Sequence, residues 1–183
     1  MRSITCFLLL GFFIPALHAA DITAEYKQGK YFVNASFVIE ANAKDVIRAL
    51  TDYENIAQFN SAIIDVEVLE SNQLGHTKVR TKVKDCVLFF CKEIIRVEQV
   101  KITEMRSLEA EVIPFLSDLR EGYTKWVFQQ NQGVTEVTYQ STIQPKFWIP
   151  PYVRSRTVTK KIKKRMLETV ARLQMHVPEY EHR

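Results

Sequence analysis

Between residues 35 and 70 the spacing of apolar positions changes twice. Phe37 and Ile39 alternate with other residues, Val46, Ile47 and Leu50 recur at helical spacing, and Ile64, Val66 and Val68 return to alternation. That order predicts a strand, a helix, a second short helical piece and another strand. Further along, Thr77, Val79, Thr81 and Val83, then Ile95 and Val97, then Leu108, Ala110 and Val112 alternate with Glu, Lys and Arg. This is the pattern of antiparallel strands with one covered face. Residues 123–129 and 134–143 continue it, joined at Gln130-Asn131-Gln132-Gly133, a polar turn whose glycine can take positive φ.

The last periodic segment is helical. Val158, Ile162, Met166, Val170, Leu173 and Val177 fall at intervals of three and four, and the run starts near Pro151, a residue favoured at an initial helical position. Some twenty-odd residues at about 1.5 Å each make a rod of roughly 35 Å. A meander this long must curl to cover its apolar face, and the terminal helix supplies the cover. The expected class is α+β: a curved antiparallel β-sheet wrapped around a long C-terminal α-helix, with two short helices after the first strand.

The beginning of the chain follows a different logic. Residues 1–20 carry one arginine, an apolar run from Ile4 to Leu17 and then Ala-Leu-His-Ala-Ala, the three regions of a secretory signal peptide. The run is shorter than the roughly 18 to 20 residues that span a bilayer. Export to the periplasm of a Gram-negative bacterium is the expectation, with residues 21–183 forming one domain. Cys86 and Cys91 remain after cleavage, and an even count in an exported chain argues for a disulfide between them. His76, His176 and His182 show no spacing that would complete a metal site with them, so neither metal nor cofactor is expected. The net charge of +4 is too modest to signal nucleic acid. Its distribution is more telling: Arg154, Arg156, Lys160, Lys161, Lys163, Lys164 and Arg165 crowd the start of the last helix.

The phrase Thr51-Asp52-Tyr53-Glu54-Asn55, followed by Phe59, resembles the opening of the START-like superfamily of polyketide cyclases and coenzyme-Q-binding proteins. The link Pro145-Lys146-Phe147-Trp148-Ile149-Pro150-Pro151-Tyr152 is similar to that family's proline-containing lead into its final helix. The resemblance implies a helix-grip fold with an apolar cavity between sheet and helix, holding a hydrophobic small molecule or lipid.

For that cavity the pattern places Thr81, Val97, Ala110, Trp126, Tyr139 and Ser141 inward from the strands, and Ile162 and Met166 inward from the helix. Such a mixture of apolar walls and a few polar groups suits a ligand pocket, although the same residues could form a closed core. Phe89, Phe90, Phe115, Phe147 and Trp148 lie in segments that bound the entrance in relatives of this shape. With Arg156 and Lys160 they are candidates for transient contact with an anionic membrane surface. There is no nucleophile elbow and no glycine-rich phosphate loop. Cyclase-like chemistry involving Asp118, Arg120 or Tyr139, and a ligand-free protein-interaction module, stay open beside non-catalytic binding by a monomer.

Overall fold

The computed structural model describes residues 20–72, 76–87, 90–104 and 106–180. Eight strands form one antiparallel sheet: β1 (Asp21–Lys27), β2 (Lys30–Ile39), β3 (Ile63–Ser71), β4 (His76–Val87), β5 (Phe90–Thr103), β6 (Ser107–Val112), β7 (Leu119–Asn131) and β8 (Val134–Pro145). Their order across the sheet is β1-β2-β8-β7-β6-β5-β4-β3. Helix α1 (Ala43–Thr51) and a 3-10 turn (Ile56–Phe59) connect β2 to β3. A single helical turn, α2 (Pro151–Arg154), leads into α3 (Arg156–Tyr180), whose 25 residues extend about 37 Å. The expected α+β helix-grip architecture is the one observed, with β1 added ahead of the strand that begins the sequence pattern.

Two hairpins turn on pairs of residues at positive φ, Gln28-Gly29 and Gln132-Gly133. Two-residue turns of this hand match the twist of the strands they join, and glycine takes the second position without a Cβ clash. The second is the predicted β7–β8 turn. It sets the register Trp126↔Tyr139 and Thr124↔Ser141, so these four residues share a face of the sheet.

Strand β3 departs from the alternation expected of it. Register shifts between Ile63 and Asp65 and between Val68 and Glu70 break the period: Ile64 is exposed, Ile63 and Val66 turn inward, and Val68 shares the face of its partner Val79 yet stays 44% exposed. At the sheet's edge only one neighbour constrains the strand.

The apolar stripe of α3 is divided between two environments. Val170, Leu173 and Val177 are at most 3% exposed and belong to a core with Phe37, Ile39, Val46 and Ile47. Val158 and Ile162 are only half-buried. They stand over the sheet without closing on it.

Candidate functional site

Beneath the first half of α3 lies a cavity of about 430 Å³. Val79, Thr81 and Val83 of β4, Ala110 of β6, Trp126 of β7 and Tyr139 of β8 line it from the sheet. Val158, Ile162 and Met166 of α3 line it from above, and Leu50, Tyr53 and Phe59 close one side. The space follows from side-chain size: small or polar residues, Ala110, Thr81 and Thr124, face the helix where bulkier ones would fill the gap.

Of the residues assigned to the cavity from sequence, Thr81, Ala110, Trp126, Tyr139, Ile162 and Met166 line it. Ser141 lies one contact away, sharing a 2.9 Å hydrogen bond with the lining Thr124. Val97 does not face the cavity. In the β4–β5 ladder it pairs with Arg80, an outward residue bonded to Glu67, whereas Thr81 pairs with Arg96. Val97 is nonetheless 2% exposed, because the segment after β6 covers it: its N–H donates to Ser117 Oγ (2.8 Å) and its carbonyl accepts from Ile113 N (2.8 Å). The inward residues of β5 are Ile94, Arg96, Glu98 and Val100.

That register brings a charged pair into the cavity wall. Arg96 Nε lies 2.8 Å from Glu98 Oε2, and the Glu98 side chain is 7% exposed. Burial, and next to it the Glu98 charge, pushes the Tyr53 phenol up to about 12. Burial likewise raises Tyr139, against the hydrogen bonds it makes with Ser141 and Thr124. Trp126 packs edge-on against Tyr139, ring centroids 4.5 Å apart.

At the other end of the cavity, Lys92 is exposed while lining it, so this end reaches solvent. Its Nζ sits 5.3 Å from the centre of the Phe147 ring, which also lines the cavity. The Cys86–Cys91 disulfide, expected from the sequence, joins directly paired residues of β4 and β5 beside this opening. Next to it, Asp85 accepts from Arg165 Nε (2.8 Å) and Nη2 (2.9 Å) and pairs with Lys161 (2.9 Å), clasping α3 to the hairpin. Burial alone would raise the Asp85 carboxyl, but hydrogen bonds from Arg165, Lys161 and Cys86 N outweigh it and hold the group at about 2. Glu168 is held at about 2 by the same balance, with Arg165 and Ser61 as donors.

Phe115 is 83% and Trp148 70% exposed, Trp148 lying between the cavity-lining Phe147 and Ile149. Lys146 joins their two segments, its N–H donating to Asp118 O (2.9 Å) and its Nζ to Pro114 O. Arg156 and Lys160 are exposed at the start of α3. From Glu136 to Glu168 the chain carries eight basic residues and no intervening acidic one. Phe89 and the Phe90 side chain lie outside the described residues, as do residues 1–19 of the expected signal peptide. Among the described residues no cluster of His, Cys, Asp and Glu could hold a metal ion, and no helix is long and apolar enough to cross a membrane.

No protein-family model and no curated protein matches the chain. Solved structures do. The chain is similar to a START superfamily protein from Mycobacterium smegmatis, with TM-score 0.64, 14% identity and coverage of 81% of this chain and 97% of that one. It is similar to a STAR-related lipid transfer protein from Xanthomonas axonopodis, with TM-score 0.64, 14% identity and coverage of 87% and 98%. A third is the Zhui aromatase/cyclase from a Streptomyces species, with TM-score 0.58, 16% identity and coverage of 84% and 95%. The protein therefore has the START-like helix-grip fold.

Proposed function

We propose that the protein binds a hydrophobic molecule, a lipid, isoprenoid or quinone, in the cavity beneath α3 and carries it within the bacterial cell envelope as a monomer, without chemical conversion. The observation that carries this reading is the unfilled space of about 430 Å³ between sheet and helix, within the range of small-molecule sites. A ligand hiding about 400 Å² of apolar surface there gains on the order of 10 kcal/mol before ordering costs. The names of the lipid-transfer and START neighbours agree with it.

Residues 1–20 act as a signal peptide in this reading, and residues 21–183 form the exported domain. The disulfide suits an oxidising compartment. Contact with an anionic bilayer is supported by the exposed Phe115 and Trp148 and by the basic start of α3, where each well-placed cation adds about 1 kcal/mol. The experiment is transfer of a fluorescent phospholipid or prenol between donor and acceptor vesicles. The reading predicts protein-dependent transfer that is faster with anionic vesicles. Transfer no faster than the spontaneous rate for either probe contradicts the carrier function.

A further inference from the structure

We propose that the Cys86–Cys91 bridge is a reversible thiol–disulfide site, opened by a dithiol reductant, and that its state sets how fast a ligand enters and leaves the cavity. This rests on the cavity being a ligand site and adds what controls its mouth. Both cysteines are exposed, so a thiolate can reach either sulfur. A thiolate of the dithiol attacks one sulfur and breaks the Cys86–Cys91 bond, and the released cysteine takes up the proton. The reductant's second thiol, losing its own proton, then attacks the mixed disulfide, which frees the second cysteine and leaves the reductant as a disulfide. Two electrons and two protons pass to the cysteine pair, and no other reactant is needed.

The bridge stands where the sheet has narrowed to a two-stranded arm. On one side β3 begins at Ile63↔Val83, and Lys84 N donates one further bond to Ala62 O (2.8 Å). On the other side, Asp118 N donates to Ile95 O (2.8 Å). Beyond these contacts the last four rungs of the β4–β5 ladder, Lys84↔Glu93 to Val87↔Phe90, have no third strand beside them among the described residues. A lone two-stranded ribbon is marginal in water, and the bridge at the rung Cys86↔Cys91 holds this one closed. The same rungs carry the mouth. Successive side chains point to opposite faces, so the exposed bridge crosses the outer side while the flanking Asp85, Val87 and Lys92 line the cavity. Asp85 grips Arg165 and Lys161 of α3, and Lys92 lies over the Phe147 ring in the link that precedes it. Closed, the arm holds both parts of the cavity's cover; cut, it frays and lets go of them. Closing so short a ring, between residues five apart, disfavours the frayed arm by roughly thirtyfold.

The test follows diphenylhexatriene as it leaves the loaded protein for vesicles carrying an energy-transfer quencher, by stopped-flow fluorescence. Oxidised protein is compared with protein reduced by dithiothreitol and with Cys86→Ser/Cys91→Ser. Headspace gas chromatography of added nonane checks that each form takes up an apolar molecule. The proposal expects exit to be at least about tenfold faster in both bridge-free forms, and dithiothreitol to have no effect on the serine variant. It also expects both cysteine thiols to appear in the folded native protein at a rate proportional to dithiothreitol concentration. Exit at an unchanged rate, with the probe bound in each form, overturns control of the mouth and leaves the cavity reading standing. Thiols that appear only at the rate of global unfolding, whatever the dithiothreitol concentration, overturn the exchange site, and this measurement needs no folded reduced form. Oxidised protein that takes up neither diphenylhexatriene nor nonane overturns the cavity reading and the proposal together.

Discussion

Ala110→Leu separates a functional cavity from a packing defect. Ala110 is 6% exposed, sits opposite Val100 and Thr124 on the neighbouring strands, and its methyl faces the cavity. Leucine adds three carbons to space that already exists. Burying them contributes about 2.4 kcal/mol at ~0.8 kcal/mol per methylene, less about 0.5 to 1 kcal/mol for the ordered side chain. The variant should therefore be more stable by about 1 to 2 kcal/mol, as cavity-filling changes commonly are. Binding should move the other way. Three ligand carbons displaced at the same ~0.8 kcal/mol each weaken nonane binding by about fiftyfold. Urea denaturation and headspace binding measure the two effects on the same samples. A loss of more than about 1 kcal/mol in stability with unchanged binding would mean that the leucine met packed side chains, and the argument from empty volume would fail.

The two halves of α3 should respond differently to truncation. Leu173→Ala, at a fully buried position, should cost about 3 to 4 kcal/mol, whereas Ile162→Ala, which only enlarges an existing cavity, should cost about 1 kcal/mol by denaturant titration. Asp85→Asn should destabilise the protein by about 1 kcal/mol at pH 7 after allowing for solvent screening. Because the Asp85 carboxyl is lowered from 3.8 to about 2, its contribution is complete above pH 4 and lost as pH falls through about 2, so the two melting curves should converge there. Cys86→Ser/Cys91→Ser opens a ring whose ends are five residues apart and should cost about 2 kcal/mol in calorimetry under oxidising conditions. Phe115→Ser/Trp148→Ser should reduce sedimentation with anionic vesicles several-fold while moving the melting temperature little, since both rings are exposed; a large melting shift with unchanged sedimentation would assign the rings to packing.

Much of the fold was legible because its elements obey one period each. The β7–β8 hairpin carried its own turn, Gln132-Gly133, and the register that follows places Trp126 beside Tyr139. The α3 stripe was equally plain, but periodicity cannot distinguish an apolar side chain that touches a partner from one that faces a void; Leu173 and Ile162 look alike in one dimension. The β5 face was misread because its inward residues include Arg96 and Glu98, which hydropathy assigns to solvent. A usable signal was present. Once Cys86 and Cys91 are taken as directly opposite, counting back five residues along each strand sets Arg96 against Thr81 and turns both inward. The Asp85 clasp joins residues 80 positions apart, Asp85 and Arg165, and no local spacing announces it. The bulges of β3 respond to edge geometry, which hydrophobic alternation does not encode.

The most direct test of the account is native mass spectrometry of the protein purified from its own cells. The account predicts one hydrophobic molecule retained per chain, released by organic solvent and diminished in the Ala110→Leu variant. A bare polypeptide mass in every preparation, with no uptake of nonane or 2-nonanone when these are added, would contradict it.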